Sequence, residues 1–230
     1  MITAFVRAIG QLPEPAFRSV LLKSFGLTLL VFIVLIGGAW TSVGGADLSD
    51  SAWVSWLPDF IIATLNWLLG GVVFAVALML FPAIASIFVS LFLDQIVDAV
   101  EAKYYPGDAK GPGLPIVQSL LVSIRFSVLV VFVNILALPF YLIPGINLIV
   151  YYMVNGYLFG REYFELIALT HKSPQEAAIL RVTNKGKILF CGIIIAFMFT
   201  IPIVNFFTPI IGAAAMVHIF KGLRQPVSAQ

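Results

Sequence analysis

Apolar residues run along this chain in long uninterrupted stretches, and the polar residues gather between those stretches rather than alternating with them. Ile2, Phe5, Ile9 and Leu12 recur at helical spacing, with Arg7 and Gln11 elsewhere, which predicts a short interfacial helix within residues 1–14. Pro13 and Pro15 break that pattern. A proline at the first helical position is a start signal, so the next helix is expected over Ala16 to Trp40, with Arg18 and Lys23 as a basic entrance to its apolar part. Positions 60–93 are then uncharged for roughly 34 residues, on the order of 50 Å of helix against about 30 Å of hydrocarbon. Such a helix must tilt out of the bilayer or kink at Gly70-Gly71 or Pro82. Asp94, Asp98 and Glu101 follow at spacings of four and three, so the helix is expected to continue, amphipathic, to Tyr105, where Pro106-Gly107 ends it.

The remainder contains two units of similar pattern, each an apolar leg, an uncharged turn with Pro and Asn, and a second apolar leg. The first runs over 116–159 and is broken by Pro139, Ile143-Pro144-Gly145 and Asn147; the second runs over 188–220 and is broken by Pro202, Asn205, Thr208 and Pro209. Residues 146–159 offer about 14 helical positions, roughly 21 Å, which is short of a full span. Legs of that length point to hairpins that enter the bilayer and turn back, with the irregular turn shielded from lipid by protein or water. Between the two units, Ser173-Pro174-Gln175-Glu176 reads as a capped helix start.

Composition agrees with the pattern: 61% of the residues are hydrophobic and 10% charged, too few charges to keep a soluble domain of this length hydrated. A net charge of +2 gives no footprint for nucleic acid, and one cysteine gives neither a disulfide framework nor a structural zinc site. No motif calls for a metal or a cofactor. The 13 basic residues fall before the first span, in 94–125, in 160–187, or after His218, and none lies in 41–59, 143–147 or 200–209. The positive-inside rule then puts both termini and the charged segments 94–115 and 160–187 in the cytoplasm. This orientation holds equally for six crossings and for two crossings plus two re-entrant hairpins. The fold expected is all-α and membrane-integral over 1–230 as a single transmembrane domain, with two long transmembrane helices and two partly penetrating, Pro/Asn-broken hairpins.

Few residues could carry chemistry. No nucleophile, phosphate-loop or zinc-protease motif is present, so an enzyme is not expected. Arg161 and Glu165 are four apart and can pair on one helix face; with Glu162 they form either a structural bridge at the membrane edge or a charged ring at a pore mouth. If a helix starts at Pro15, the amides of Ala16, Phe17 and Arg18 point out of its positive end, and Arg18 adds planar donors suited to an oxyanion.

Gln11 to Lys23, Pro144 to Val150, Asn155-Gly156-Tyr157 on to Glu165, and the Pro/Asn second hairpin together resemble the CysZ sulfate permeases and, more broadly, the etoposide-induced-protein domain family. The resemblance implies a multi-pass protein of the bacterial inner membrane that takes up sulfate for cysteine synthesis, as a homo-oligomer and without a cofactor. It further implies a sulfate site at the start of the first long helix, where members carry Gly-Leu-Arg. Here that stretch reads Ala16-Phe17-Arg18-Ser19, so the arginine is kept and the glycine and leucine are replaced. Sulfite is the natural competing oxyanion, and passage is either channel-like or ion-coupled. The alternative is a membrane scaffold that transports nothing and docks a partner on 160–187.

Overall fold

The first helix, α1 (Ile2–Gly10), turns two apolar surfaces in different directions. Ala4, Phe5 and Ala8 are buried, while Ile2, Val6 and Ile9 form an exposed stripe. The computed structural model describes residues 1–42, 48, 52–54, 56–108 and 114–223, and among these it is helical with no strand. After α1 come α2 (Pro15–Ser42), α3 (Asp59–Leu91), α4 (Leu93–Tyr104), α5 (Ile116–Tyr141), α6 (Ile146–His171), α7 (Pro174–Thr183), α8 (Lys185–Phe199) and α9 (Pro202–Lys221). Pro15–Leu35, Val117–Tyr141 and Pro202–Lys221 are long and apolar enough to cross a bilayer, and α7 and α8 form a pair bent by 86°. The chain is an all-helical membrane protein, as its residue pattern requires.

Two compact units divide it, Ser19–Leu91 and the remainder, Met1–Arg18 with Phe92–Gln230. In the first, α2 and α3 meet at Phe81, whose ring lies edge-on to Phe25 at 5.4 Å and tilted against Phe32 at 5.5 Å. The helix α3 runs through Gly70, Gly71 and Pro82 without interruption. Its end corrects the expectation of one helix to Tyr105: Phe92, at φ −110° and ψ 8°, leaves the helical region, and α4 starts afresh at Leu93. The break falls where an all-round apolar surface gives way to a one-sided one, with Ile96, Val97 and Val100 buried and Asp94 and Asp98 exposed.

The larger unit is built around α9, buried at every position from Thr208 to Phe220. Gly212 and the alanines at 213, 214 and 215 keep its surface small enough for α1, α4, α6 and α8 to pack on it. The second hairpin's turn is Thr200 and Ile201; Asn205, Thr208 and Pro209, expected to belong to it, lie inside α9. Pro202 at the first helical position starts that helix early, and Pro209 then removes one N–H without ending it.

In the first hairpin the turn is 142–145, with Gly145 at φ +84°, a left-handed conformation that disfavours side chains with a Cβ. The leg expected to stop near Phe159 runs on as α6 to His171, because Gly160 is a packing glycine and not a terminator. A Cβ on Gly160 would sit 2.5 Å from the Ile188 carbonyl oxygen, and one on Gly156 would meet Ile193 Cγ1 at 2.5 Å. Across the same contact, a Cβ on Gly192 would overlap the Gly156 carbonyl. Gly156 and Gly160, four apart on one face of α6, thus let the backbones of α6 and α8 touch, the arrangement small residues give membrane helices. The capped start expected at Ser173 is present: its hydroxyl oxygen accepts from the Glu176 amide at 3.3 Å, and its own amide donates to Glu176 Oε2 at 2.9 Å. Those donors hold the Glu176 carboxyl below its ordinary range.

Candidate functional site

Glu14 stands immediately before α2 and shapes its start in two ways. Its carbonyl accepts the Arg18 amide at 3.0 Å, the first intrahelical bond. Arg18 therefore offers a ligand its guanidinium and not its N–H, which narrows the set of amides expected at this end. With Pro15 lacking an N–H, the amides that precede the helical ladder are those of Ala16 and Phe17. The Phe17 side chain is fully buried and anchors the turn, Ala16 and Ser19 are half-buried, and the Arg18 side chain is exposed. Glu14 also reaches α4: Lys103 Nζ donates to its Oε1 at 2.9 Å and the Tyr104 hydroxyl to the same atom at 3.3 Å. That hydrogen bond holds the Lys103 ammonium above its ordinary range. The helix start is thus lined by one carboxylate, one lysine and one arginine. The lysine is a partner the linear spacing concealed, since α4 brings it in from far along the chain.

The second group of candidates separates. Arg161 Nε donates to Glu165 Oε1 at 2.8 Å, as their spacing predicts, and the guanidinium lies over the Phe126 ring of α5 at 5.8 Å. Glu165 is also approached by Arg181 of α7 at 3.6 Å, so one carboxylate faces two cations. The Arg181 Nε is buried without a hydrogen-bond partner among the described residues. Glu162 takes no part: it is exposed, about 100° round the helix from Arg161.

A third cluster was not foreseen. His171 Nε2 lies 2.6 Å from Glu101 Oε1, close enough to require a shared proton that only the imidazole can donate to an ionised carboxylate. Lys221 Nζ lies 3.2 Å from the same oxygen and 3.0 Å from Asp108 Oδ2. One turn away, Gln11 Nε2 donates to His218 Nε2 at 3.0 Å, so the ring's Nδ1 proton points at the Tyr105 oxygen 2.9 Å away. These contacts bind α1, α4, α6 and α9 at one end of the bundle. No linear motif signals them; the available hint is that His218 and Lys221 are the polar residues of an otherwise apolar helix. Beside His171, a groove of about 330 Å³ is lined by Gln118, Thr170, Lys172 and Ser173 among others. Among the described residues no set of His, Cys, Asp and Glu could hold a metal ion.

No curated protein matches the chain. The family model described as Sulfate transporter CysZ/Etoposide-induced protein 2.4 matches residues 4–209, nearly the whole length. With a match of that extent over an all-helical membrane fold, the chain belongs to the CysZ sulfate transporter and etoposide-induced protein family.

Proposed function

We propose that this protein carries sulfate across a bacterial inner membrane into the cytoplasm, as a homo-oligomer with both termini cytoplasmic, to supply cysteine synthesis. The observation that carries this reading is the start of α2. Two amides precede its helical ladder and an exposed Arg18 guanidinium follows them, a donor set matched to a tetrahedral dianion. Family membership supports the substrate, and the one-sided distribution of basic residues supports the orientation. In that orientation Arg18 stands at the cytoplasmic face, so the site serves release at the inner mouth of an importer. Sparse charge within the apolar helices gives no proton relay, which favours a channel-like route over ion coupling.

Purified protein in proteoliposomes should take up labelled sulfate, with sulfite competing; uptake no greater than in empty vesicles would sink the proposal. Arg18→Ala should weaken sulfate binding about tenfold or more in calorimetry, since a hydrogen bond to a charged group contributes roughly 1.5–3 kcal/mol. Unchanged affinity would remove Arg18 from the site while leaving transport to be carried elsewhere.

A further inference from the structure

Two guanidiniums meet one carboxylate where α7 packs on α6. Arg161 Nε donates to Glu165 Oε1 at 2.8 Å, and Arg181 Nη1, from the last turn of α7, stands 3.6 Å from the same oxygen. That second distance is an ion pair but too long for a hydrogen bond. Among the described residues Arg181 therefore makes no hydrogen bond, and its Nε is buried without a partner. Glu165 is the one carboxylate that meets either arginine among those residues. The three side chains are only 16% to 23% exposed, and together they carry one positive charge in excess. A buried donor on a cation needs an acceptor, and the acceptor that suits a guanidinium fork is an oxyanion. Arg161 does not depend on Glu165 for its position, because its guanidinium also lies over the Phe126 ring at 5.8 Å.

We infer that Arg161 and Arg181 form a second oxyanion site, for sulfate and anions of its shape, in which the Glu165 carboxylate is a resident competitor. A structural bridge explains the bond between Arg161 and Glu165 but leaves Arg181 without one. An oxyanion between the two guanidiniums uses donors of both. Charge points the same way. With Glu165 turned in, the excess is a single charge; with Glu165 turned out, two positive charges face a dianion. Among the described residues the Glu165 carboxylate receives one hydrogen bond, from Arg161, so an arriving anion has little to displace. Such competition keeps binding weak, as passage of an ion requires. Both arginines lie in the segment 160–187, proposed to be cytoplasmic, so the site belongs to the inner side. It rests on the sulfate reading above for the choice of anion and not for its geometry.

The test is calorimetric titration of the full chain in nanodiscs with sodium sulfate, in an Arg18→Ala background that silences the start of α2. Adding Glu165→Gln to that background should tighten sulfate binding about tenfold or more, because it removes a like charge beside the anion. A gain of this kind cannot come from misfolding. Adding Arg181→Gln instead should abolish the remaining binding, and Arg181→Lys should weaken it, since a point charge lacks the planar fork. Chloride should compete poorly with sulfate. No sulfate binding in Arg18→Ala with Glu165→Gln would overturn the site. So would an affinity that Glu165→Gln leaves unchanged while lowering stability, the behaviour of a structural bridge. Chloride competing as well as sulfate would overturn the oxyanion assignment. Uptake is a separate readout: proteoliposomes that take up no sulfate, alongside tighter binding in the Glu165→Gln variant, would refute transport and leave this site standing.

Discussion

Gly192→Ala is expected to cost the fold about 3 kcal/mol, at or above the upper end of the usual range for overpacking a core. The added methyl group has nowhere to go, because its neighbours are the Gly156 carbonyl and, at 2.5 Å, the Gly160 amide nitrogen. Side chains can rotate away from an intruder, but backbone atoms in the middle of a helix cannot. The helices α6 and α8 must then separate along the whole contact, which also includes the stacked rings of Phe159 and Phe199 at 4.8 Å. Unfolding in mixed micelles against a rising fraction of sodium dodecyl sulfate measures the loss. Gly186, on α8 as well, supplies the control: a Cβ there meets nothing within 4 Å, so Gly186→Ala should be neutral or slightly stabilising through helix propensity. Equal losses at both positions would show that the close approach is not what stabilises the pair.

That contact illustrates what a linear pattern conveys about this fold and what it withholds. Helical spacing, proline starts and capping depend on residues within one turn of each other. For that reason the start of α2, the Ser173 and Glu176 cap and the Arg161–Glu165 pair were all legible beforehand. The spacing of Gly156 and Gly160 is equally local, yet nothing in it names α8 as the partner. An interruption by one residue of changed dihedral, as at Phe92, leaves no mark when the apolar run continues through it. Prolines mislead in the other direction. Pro202 starts a helix and Pro209 sits inside the same helix, and the difference depends on whether neighbouring helices hold the backbone in place. At the candidate site, the Arg18 guanidinium was readable from the helix start. The commitment of its amide to Glu14, and of Glu14 to Lys103, needed the placement of α4.

Glu101→Ala is expected to produce the second large effect, a loss of about 3 kcal/mol, from a cause that sequence separation hides. Glu101 and His171 are 70 residues apart and His171 and Lys221 are 50 apart, but their side chains are about nine-tenths or more buried together. One carboxylate oxygen of Glu101 serves both partners, while its second is buried without a partner among the described residues. Removing one member of such a group leaves the others charged in a poorly solvated site, which typically costs about 3–5 kcal/mol. Asp108, half exposed and 3.0 Å from Lys221, moderates the loss and places it at the lower end of that range. The same reasoning predicts the opposite outcome for a double change. In Glu101→Leu with Lys221→Met both charges go, the desolvation penalty goes with them, and more than half of the lost stability should return. Hydrogen exchange in α4 should report the damage first, because Glu101 ties that helix to α6 and, beside the Tyr105–His218 contact, to α9. If the double variant is as unstable as Glu101→Ala and α4 exchanges no faster in either, the cluster does not hold the bundle end together through its charges.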